Sequence, residues 1–356
     1  MVSDTQAVPA PSLLSVNDLH VAFHGEVGMV QAVRGVSWDI QPGEVLGIVG
    51  ESGSGKSVSV SSILGLLPTP PAVISGGPVI FEGQNLLEMS ERELRHIRGK
   101  KIAMIFQDPM TAFNPVKTIG HQIAEAIRVH DKSVSRSAAR DRTIELLSMV
   151  DVPGPKARFS QYPHEYSGGM RQRAMIAMAI ANKPSLLIAD EPTTALDVTI
   201  QAQILELLEV VRKETDAATV LITHDLGVIA EVADRVVVMY AGKVVESTSV
   251  VALFQRPRHP YTLGLLGSLP RLEVRMDTLY SVPGQPPDMA HAPPGCAFAS
   301  RCSLSRGRAE CRNSVPELVK VGDSWSACHF LDEMELATQS VSEEIGLDIR
   351  IGKESQ

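Results

Sequence analysis

The chain has 356 residues, of which 44% are hydrophobic, so it is long enough for one large domain and a smaller one. Its net charge of −8 gives no electrostatic support for a nucleic-acid partner, and an aromatic content of 4% gives no sign of base-stacking surfaces. No apolar run reaches the ~18 residues that a membrane span needs. The segment from Met1 to Leu14 lacks the basic region of a signal peptide, so we expect a cytoplasmic protein.

Two strands are predicted between Leu14 and Ile40, after a proline-containing lead at 1–12 that we expect to be disordered. Apolar residues fall on nearly alternate positions in the first of these strands, which also contains one aromatic residue, Phe23. Two interpretations of Phe23 stay open, because it can stack on an adenine ring or pack as a core residue of an edge strand.

The segment from Gly50 to Ser57 has the phosphate-binding pattern G-x-x-x-x-G-K-[ST], known as the P-loop. A short apolar strand precedes it, and a helix from Lys56 to about Leu67 follows it. In that setting, the glycine-rich backbone and the helix N-terminus direct N–H groups at an anion. We expect Lys56 to reach the β- and γ-phosphates of a nucleotide and the Ser57 hydroxyl to bind Mg²⁺. The predicted nucleotide-binding residues of this loop are Gly50, Glu51, Ser52, Gly53, Ser54, Gly55, Lys56 and Ser57.

A Pro- and Gly-rich stretch, 68–78, is predicted to be loop, and an apolar strand is predicted over 101–106. That strand ends at Gln107, where an amide beside a P-loop is placed to contact Mg²⁺ or an attacking water. The alternative for Gln107 is a loop-capping role. Helical spacing of apolar residues over 119–150 predicts a helical subdomain inserted into the sheet domain.

A second possible anion site lies at Ser167, Gly168 and Gly169, which open a predicted apolar helix. Ser167 is a suitable N-cap, and N–H groups at a helix start attract anions. Taken alone, this is weak support for ligand binding.

The wholly apolar strand predicted at 186–189 is typical of a parallel sheet that is covered on both faces. It ends at Asp190 and Glu191, and open α/β sheets bind ligands at the carboxyl ends of their strands. We expect Asp190 to hold the Mg²⁺ shell and Glu191 to accept a proton from the attacking water. A further strand ends at His224, for which we favour a γ-phosphate contact over a structural role.

Taken together, these motifs resemble the nucleotide-binding subunit of ABC transporters over residues 14–270, which predicts an α/β P-loop NTPase fold. The resemblance implies a mainly parallel sheet core, an antiparallel β subdomain and an inserted helical subdomain. It also implies a head-to-tail dimer, in which the helix start at Ser167 completes the ATP site of the partner. In chain order, the matching positions are the P-loop, Gln107, Ser167-Gly168-Gly169, Asp190-Glu191, Asp197 and His224.

Three stretches, 108–115, 171–173 and 258–266, resemble the oligopeptide/dipeptide importer branch of this family. The resemblance implies an ATP- and Mg²⁺-dependent ATPase that powers peptide uptake from the cytoplasmic face of the membrane. The implied partners are a second homologous ATPase, two transmembrane permease subunits and, indirectly, an extracytoplasmic solute-binding protein. One departure is the signature, which reads Tyr-Ser-Gly-Gly-Met rather than Leu-Ser-Gly-Gly-Gln but keeps the anion-binding Ser and glycines.

Two alternatives to a peptide importer stay open at this point. The same machinery can import nickel or another small solute, because the ATPase subunit does not touch the cargo. A soluble ABC protein that acts on ribosomes or DNA is disfavoured, because the chain has neither a second ATPase domain nor a long coiled-coil insertion.

All the cysteines lie in one C-terminal segment, at positions 296, 302, 311 and 328. Disulfides are disfavoured in a cytoplasmic protein, while four thiolates suit either zinc or a 4Fe–4S cluster. The resemblance implies the 4Fe–4S cluster, held by Cys296, Cys302, Cys311 and Cys328.

The predicted domain organisation has four parts. After the disordered lead at 1–12, an ABC ATPase domain spans 13–255, with its helical and signature subdomain at about 108–182. A small Cys-rich C-terminal domain follows at 256–331, and an acidic tail that we expect to be mobile follows at 332–356.

Overall fold

The computed structural model of the protein describes residues 12–25, 28–194, 197–269 and 282–338. Within those ranges, the strands form two sheets on which helices pack, an α/β arrangement that confirms the predicted fold class. The strands are β1 (Leu14–Gly25), β2 (Gly28–Ile40), β3 (Val45–Val49), β4 (Ala72–Ser75), β5 (Val79–Phe81), β6 (Gln84–Asn85), β7 (Ile102–Ile105), β8 (Leu186–Asp190), β9 (Ala218–Thr223), β10 (Arg235–Tyr240), β11 (Lys243–Ser249), β12 (Val319–Val321) and β13 (Ser324–Ser326).

The helices cover the sheets and fill the insertion between β7 and β8. They are α1 (Lys56–Ile63), α2 (Glu91–Ile97), α3 (Pro109–Ala112), α4 (Ile119–His130), α5 (Arg136–Met149), α6 (Pro155–Arg158), α7 (Gly168–Ala179), α8 (Val198–Thr215), α9 (Leu226–Val232), α10 (Val250–Gln255), α11 (Pro260–Gly267) and α12 (Ala309–Asn313). Short 3₁₀ turns lie at Leu86–Glu88, Pro163–Glu165, Met289–His291 and Leu331–Glu333. No helix in the described ranges is both long and apolar enough to cross a membrane.

The larger sheet has the strand order β12-β13-β11-β10-β3-β9-β8-β7. Strands β10, β3, β9, β8 and β7 are parallel to one another, and β11, β13 and β12 add antiparallel partners at one edge. The parallel strands β3, β8 and β9 are buried at every position, as expected for a sheet that is covered on both faces. Because these strands run in the same direction, their carboxyl ends meet at one edge of the sheet.

The smaller sheet is antiparallel, with the order β2-β1-β5-β6 and with β4 paired to β1. Strand β4 corrects the prediction of loop across 68–78, because Ala72–Ser75 pairs with His20–Phe23 of β1 despite the flanking prolines and glycines. Helix α1 is also shorter than predicted, since it ends at Ile63 rather than near Leu67.

The C-terminal region is joined to the larger sheet through backbone pairing. Strand β13 pairs with β11, where Glu246 lies opposite Ser326 and Ser247 opposite Trp325. Further along the chain, Met334 is fully buried. Residues 1–11 of the predicted lead and residues 339–356 of the predicted tail lie outside the described residues.

Candidate nucleotide-binding site

Four loops that follow parallel strands meet around one cavity of about 560 Å³. The P-loop follows β3, Gln107 follows β7, Glu191 follows β8 and His224 follows β9. The topology therefore brings together residues that are far apart in sequence, as predicted from their positions at strand ends. The cavity is lined by Gly50, Glu51, Ser52, Gly53, Ser54, Gly55, Lys56, Ser57, Val58, Gln107, Glu191, His224 and Leu265.

Two glycines of the P-loop are required by its backbone conformation. Gly50 has φ +154°, and a Cβ atom at that position would lie 2.2 Å from the carbonyl oxygen of Met239. Gly55 has φ +97°, and its Cβ would lie 2.5 Å from the carbonyl oxygen of Ala32. Larger residues at either position would push the loop away from the sheet, so the close backbone packing depends on glycine.

The ammonium group of Lys56 lies inside the loop, and the residue is only 4% exposed. Its Nζ donates to the carbonyl oxygens of Gly50, at 2.7 Å, and of Glu51, at 3.0 Å. Burial lowers the pKa of Lys56, while the nearby carboxylates of Glu191 and Asp190 oppose that change. A buried cation that is held mainly by neutral carbonyls is suited to meet the negative charge of a phosphate group.

Ser57 and Asp190 form a direct contact at the base of the cavity, where Ser57 Oγ donates to Asp190 Oδ1 at 2.7 Å. Burial raises the pKa of Asp190, and the hydrogen bond from Ser57 opposes that increase. A hydroxyl and a carboxylate are oxygen ligands of the kind that Mg²⁺ prefers. Because Mg²⁺ bound to nucleotides needs only one or two protein ligands, this pair fits the ion.

Glu191 lies at the centre of a hydrogen-bonded group. Its Oε2 accepts from Gln107 Nε2 at 3.1 Å and from Thr194 Oγ1 at 2.8 Å, and it lies 3.6 Å from His224 Nδ1. Its backbone has φ +45° and is held by an N–H donated to the carbonyl of Ile222 at 2.9 Å. The strained conformation and these contacts fix the carboxylate at the cavity wall. The sequence interpretation missed Thr194, although a hydroxyl three residues after a candidate catalytic carboxylate is a usable signal.

The signature residues do not line the P-loop cavity. Ser167 is exposed and caps α7, where its Oγ accepts from the N–H of Met170 at 3.3 Å. Gly168 is exposed and Gly169 is half-buried beside it. Asp197 caps α8 and accepts from the N–H of Ile200 at 3.0 Å. The structure therefore leaves this second candidate anion site on the surface of the chain, apart from the P-loop.

Phe23 lies in the antiparallel sheet, opposite Val30 of β2 and Ala72 of β4. It is half-buried, packs against the core of that sheet and does not line the P-loop cavity. Stacking of Phe23 on an adenine ring stays a prediction.

The prediction of a 4Fe–4S cluster is wrong, and the zinc alternative is equally unsupported. Among the described residues, which include all the cysteines, no group of three or more His, Cys, Asp and Glu side chains could hold a metal ion. Burial raises the pKa of Cys296, and it raises that of Cys302 and Cys328 to about 11. The spacing of Cys296, Cys302, Cys311 and Cys328 did not reveal this environment.

Two family models match the chain. The model described as ABC transporter matches residues 33–194, and the model described as oligopeptide/dipeptide transporter, C-terminal region, matches residues 245–311. The second match spans α10, α11 and the first three cysteines, so it covers the segment that joins the main sheet to the C-terminal region.

Several curated relatives are similar over most of their length. The chain is 56% identical to the dipeptide transport ATP-binding protein DppD of Bacillus subtilis, over 82% of this chain and 86% of the relative. It is 55% identical to the oligopeptide transport ATP-binding protein OppD of the same organism, over 82% of each. It is 50% identical to the DppD protein of Escherichia coli, over 90% of this chain and 97% of the relative.

Solved structures share the fold of the ATPase part. The ATP-binding cassette MJ0796, solved as a dimer in a post-hydrolysis state with ADP and phosphate, has a TM-score of 0.60 and 27% identity. That alignment covers 67% of this chain and 98% of the cassette. About a third of this chain therefore lies outside that alignment.

Proposed function

We propose that this chain, which belongs to the ABC transporter ATP-binding family and is an ATPase, powers the uptake of dipeptides or oligopeptides. Support for the cargo comes from the match of residues 245–311 to a peptide-transporter C-terminal region and from relatives that are named for dipeptide and oligopeptide transport. The observation that supports the enzymatic part is that Lys56, Ser57, Gln107 and Glu191 line one cavity. Asp190 lies behind that lining and accepts a hydrogen bond from Ser57.

In the proposed mechanism, the triphosphate of ATP lies along the P-loop, with its γ-phosphate near Lys56. A water attacks the γ-phosphorus and the bond to the ADP oxygen breaks, while Glu191 takes the proton of that water. In this proposal, Gln107 and His224 orient the water and the γ-phosphate, since both side chains lie beside Glu191 Oε2. Thr194 holds the same carboxylate oxygen in place.

Ser57 and Asp190 are the residues that would hold Mg²⁺, with Gln107 as a further oxygen donor. The ion would neutralise negative charge on the phosphate oxygens. Charge neutralisation requires no covalent bond between the phosphate and the protein.

A second ATPase subunit is part of the proposal. The exposed helix start at Ser167 and Gly168 lies apart from the P-loop cavity, so one chain supplies only half of each closed site. In a head-to-tail dimer, this helix N-terminus and Asp197 would close over the γ-phosphate bound to the partner. We further propose that the partner is a homologous, different ATPase and that the pair works at the cytoplasmic face of the membrane. Two permease subunits and an external solute-binding protein would complete the transporter.

The proposed catalytic role of Glu191 is tested by Glu191→Gln in the assembled transporter. We expect ATP binding to remain and hydrolysis to fall by ~10²–10⁴-fold, which is the usual scale for loss of a general base. The matched control is Glu209→Gln, because Glu209 is on α8 and pairs with Lys213. Steady-state phosphate release and equilibrium binding of labelled ATP provide the two readings. Undiminished phosphate release by Glu191→Gln would rule out the proposed role of Glu191.

A further inference from the structure

The second residue of the P-loop, Glu51, is bound by the C-terminal region of the chain. Arg301 Nη1 donates to Glu51 Oε2 at 2.8 Å, and Arg301 Nη2 donates to Glu51 Oε1 at 3.0 Å. The Arg301 side chain is only 5% exposed, whereas that of Glu51 is 27% exposed. This is a two-point contact between a planar guanidinium and a carboxylate, a geometry that lysine cannot reproduce.

Arg301 is itself held from several sides. Its Nε donates to the carbonyl of Pro283 at 2.8 Å, and its Nη1 donates to the hydroxyl of Tyr240 at 3.2 Å. The guanidinium lies 5.7 Å from the ring centre of Tyr240 and 5.9 Å from that of Phe298. Because these contacts leave the guanidinium little freedom, it can set the position of Glu51 rather than follow it.

The backbone of Glu51 is held by the same region. The hydroxyl of Tyr261 accepts the N–H of Glu51 at 2.8 Å, and Tyr261 is fully buried. Its ring packs against Tyr240, with centres 4.7 Å apart, and against Phe298, with centres 5.4 Å apart. Arg301, which binds the Glu51 side chain, and Tyr261, which binds its amide, therefore both pack against the rings of Tyr240 and Phe298.

The constraint on Glu51 extends to the phosphate-binding groups. The carbonyl oxygen of Glu51 accepts from Lys56 Nζ at 3.0 Å and from the N–H of Ser54 at 3.2 Å. A shift of the Glu51 peptide would therefore move the Lys56 ammonium and the loop N–H groups. The carboxylate also lines the cavity, so without Arg301 an unpaired negative charge would face the incoming triphosphate.

We propose that Arg301 is a positioning residue for nucleotide binding, through which the C-terminal region sets the geometry and charge of the P-loop. The proposal rests on the proposed function, since it assumes that the cavity binds ATP. Arg301 does not touch the reacting atoms. It neutralises Glu51 and, together with Tyr261, holds the first turn of the loop in its phosphate-binding conformation.

The test compares steady-state ATPase kinetics of assembled transporters that carry Arg301→Met, Glu51→Gln or both substitutions. We expect Arg301→Met to raise KM for ATP about tenfold, the usual scale for one charge contact, with kcat within about twofold of the parent. Glu51→Gln removes the unpaired charge, so the double variant should bind ATP better than Arg301→Met. Arg301→Lys keeps the charge but loses the two-point contact, so its KM should be intermediate.

The matched control is Arg308→Met. Arg308 makes the same two-point contact with Glu333, at 2.7 and 3.0 Å, and stacks 4.0 Å above the ring of Phe330, also in the C-terminal region. We expect this variant to lose stability without a change in KM, and thermal unfolding of each variant measures that loss.

Two results would overturn the positioning role. One is an unchanged KM in Arg301→Met. The other is a double variant whose fold change in KM equals the product of the fold changes of the two single variants, because the two residues would then act independently. Loss of kcat in proportion to lost folded protein, with KM constant, would assign Arg301 a purely structural role. If the parent protein neither binds nor hydrolyses ATP, the proposed function fails instead, so the two failures are distinguishable.

Discussion

Glu246 gives a pH dependence of stability that can be worked out from the structure. The residue lies in β11 and is fully buried, and its Oε1 accepts the N–H of Arg258 at 2.7 Å. Burial raises the pKa of Glu246 from 4.5 to about 7, and hydrogen bonds oppose part of that increase. The folded protein therefore holds a proton on Glu246 at pH values where the unfolded chain has released it.

The sign and size of the effect follow from that difference in pKa. Below pH 4.5 both states are protonated, so the carboxyl does not affect the pH dependence. Between pH 4.5 and about 7 only the unfolded state ionises, so folding stability falls as the pH rises. Each pKa unit is worth about 1.4 kcal/mol, so the expected total loss is ~3 kcal/mol, and it is complete above the folded pKa.

The perturbation is Glu246→Gln, which keeps the shape of the side chain and removes its titration. We expect the free energy of unfolding of the variant to increase relative to that of the parent by ~3 kcal/mol between pH 4.5 and pH 8, so the variant becomes the more stable of the two. Urea unfolding followed by Trp325 fluorescence in a Trp38→Phe background reports on the strand beside β11. Taking the difference between variants cancels the titration of all other groups.

Glu310→Gln is the control, because Glu310 is an exposed carboxyl in the same C-terminal region. Its stability relative to the parent, measured over the same pH range, shows the effect of removing one exposed carboxylate. A difference between Glu246→Gln and the parent that stays constant from pH 4.5 to 8, or that changes with the opposite sign, would refute the reasoning.

Two further predictions concern buried positions. Burial lowers the pKa of His259 to about 3, so the stability that the neutral imidazole contributes is present above pH 6.5 and is lost as the pH falls. In urea unfolding, the parent should lose about 3 kcal/mol of stability relative to His259→Asn between pH 6.5 and pH 4. A stability difference that stays constant over this range would contradict the prediction. Gly50→Ala would place a Cβ 2.2 Å from the carbonyl oxygen of Met239, so we expect at least a tenfold loss of ATP affinity in equilibrium binding, and parent-like affinity would show that the P-loop tolerates the shift.

Local patterns were sufficient to predict which strand ends meet at the cavity. The P-loop, Glu191 and His224 each follow a buried parallel strand, and the carboxyl ends of parallel strands meet at one edge. The position of each residue along its strand was therefore enough to bring these side chains to one cavity. The contact of Gln107 with Glu191 is consistent with the same argument.

Contacts that depend on long-range packing could not be read from the sequence. Glu51 and Arg301 are 250 positions apart, and no local pattern marks them as partners. The pairing of β13 with β11 likewise depends on how the C-terminal region folds back onto the sheet. Strand β4 lies between prolines and glycines that indicate loop, but pairing with β1 outweighs that local preference.

The cysteine segment shows the limit of reasoning from residue count and resemblance. Four cysteines in one segment satisfied the ligand number of a cluster, but ligand number does not determine side-chain position or protonation. Burial of Cys302 and Cys328, which raises their pKa to about 11, is a property of the folded chain. Spacing alone could not predict it.

The central claim is that ATP hydrolysis by this chain powers peptide uptake, and the most direct measurement is uptake in cells that carry the parent protein or Lys56→Ala. Labelled dipeptides, longer peptides and nickel would be followed in parallel, with Lys183→Ala as a control that lies outside the residues lining the cavity. The account predicts that peptide entry collapses in Lys56→Ala alone and that nickel entry is unchanged. Peptide entry at the parental rate in Lys56→Ala, or loss of nickel entry without loss of peptide entry, would contradict it.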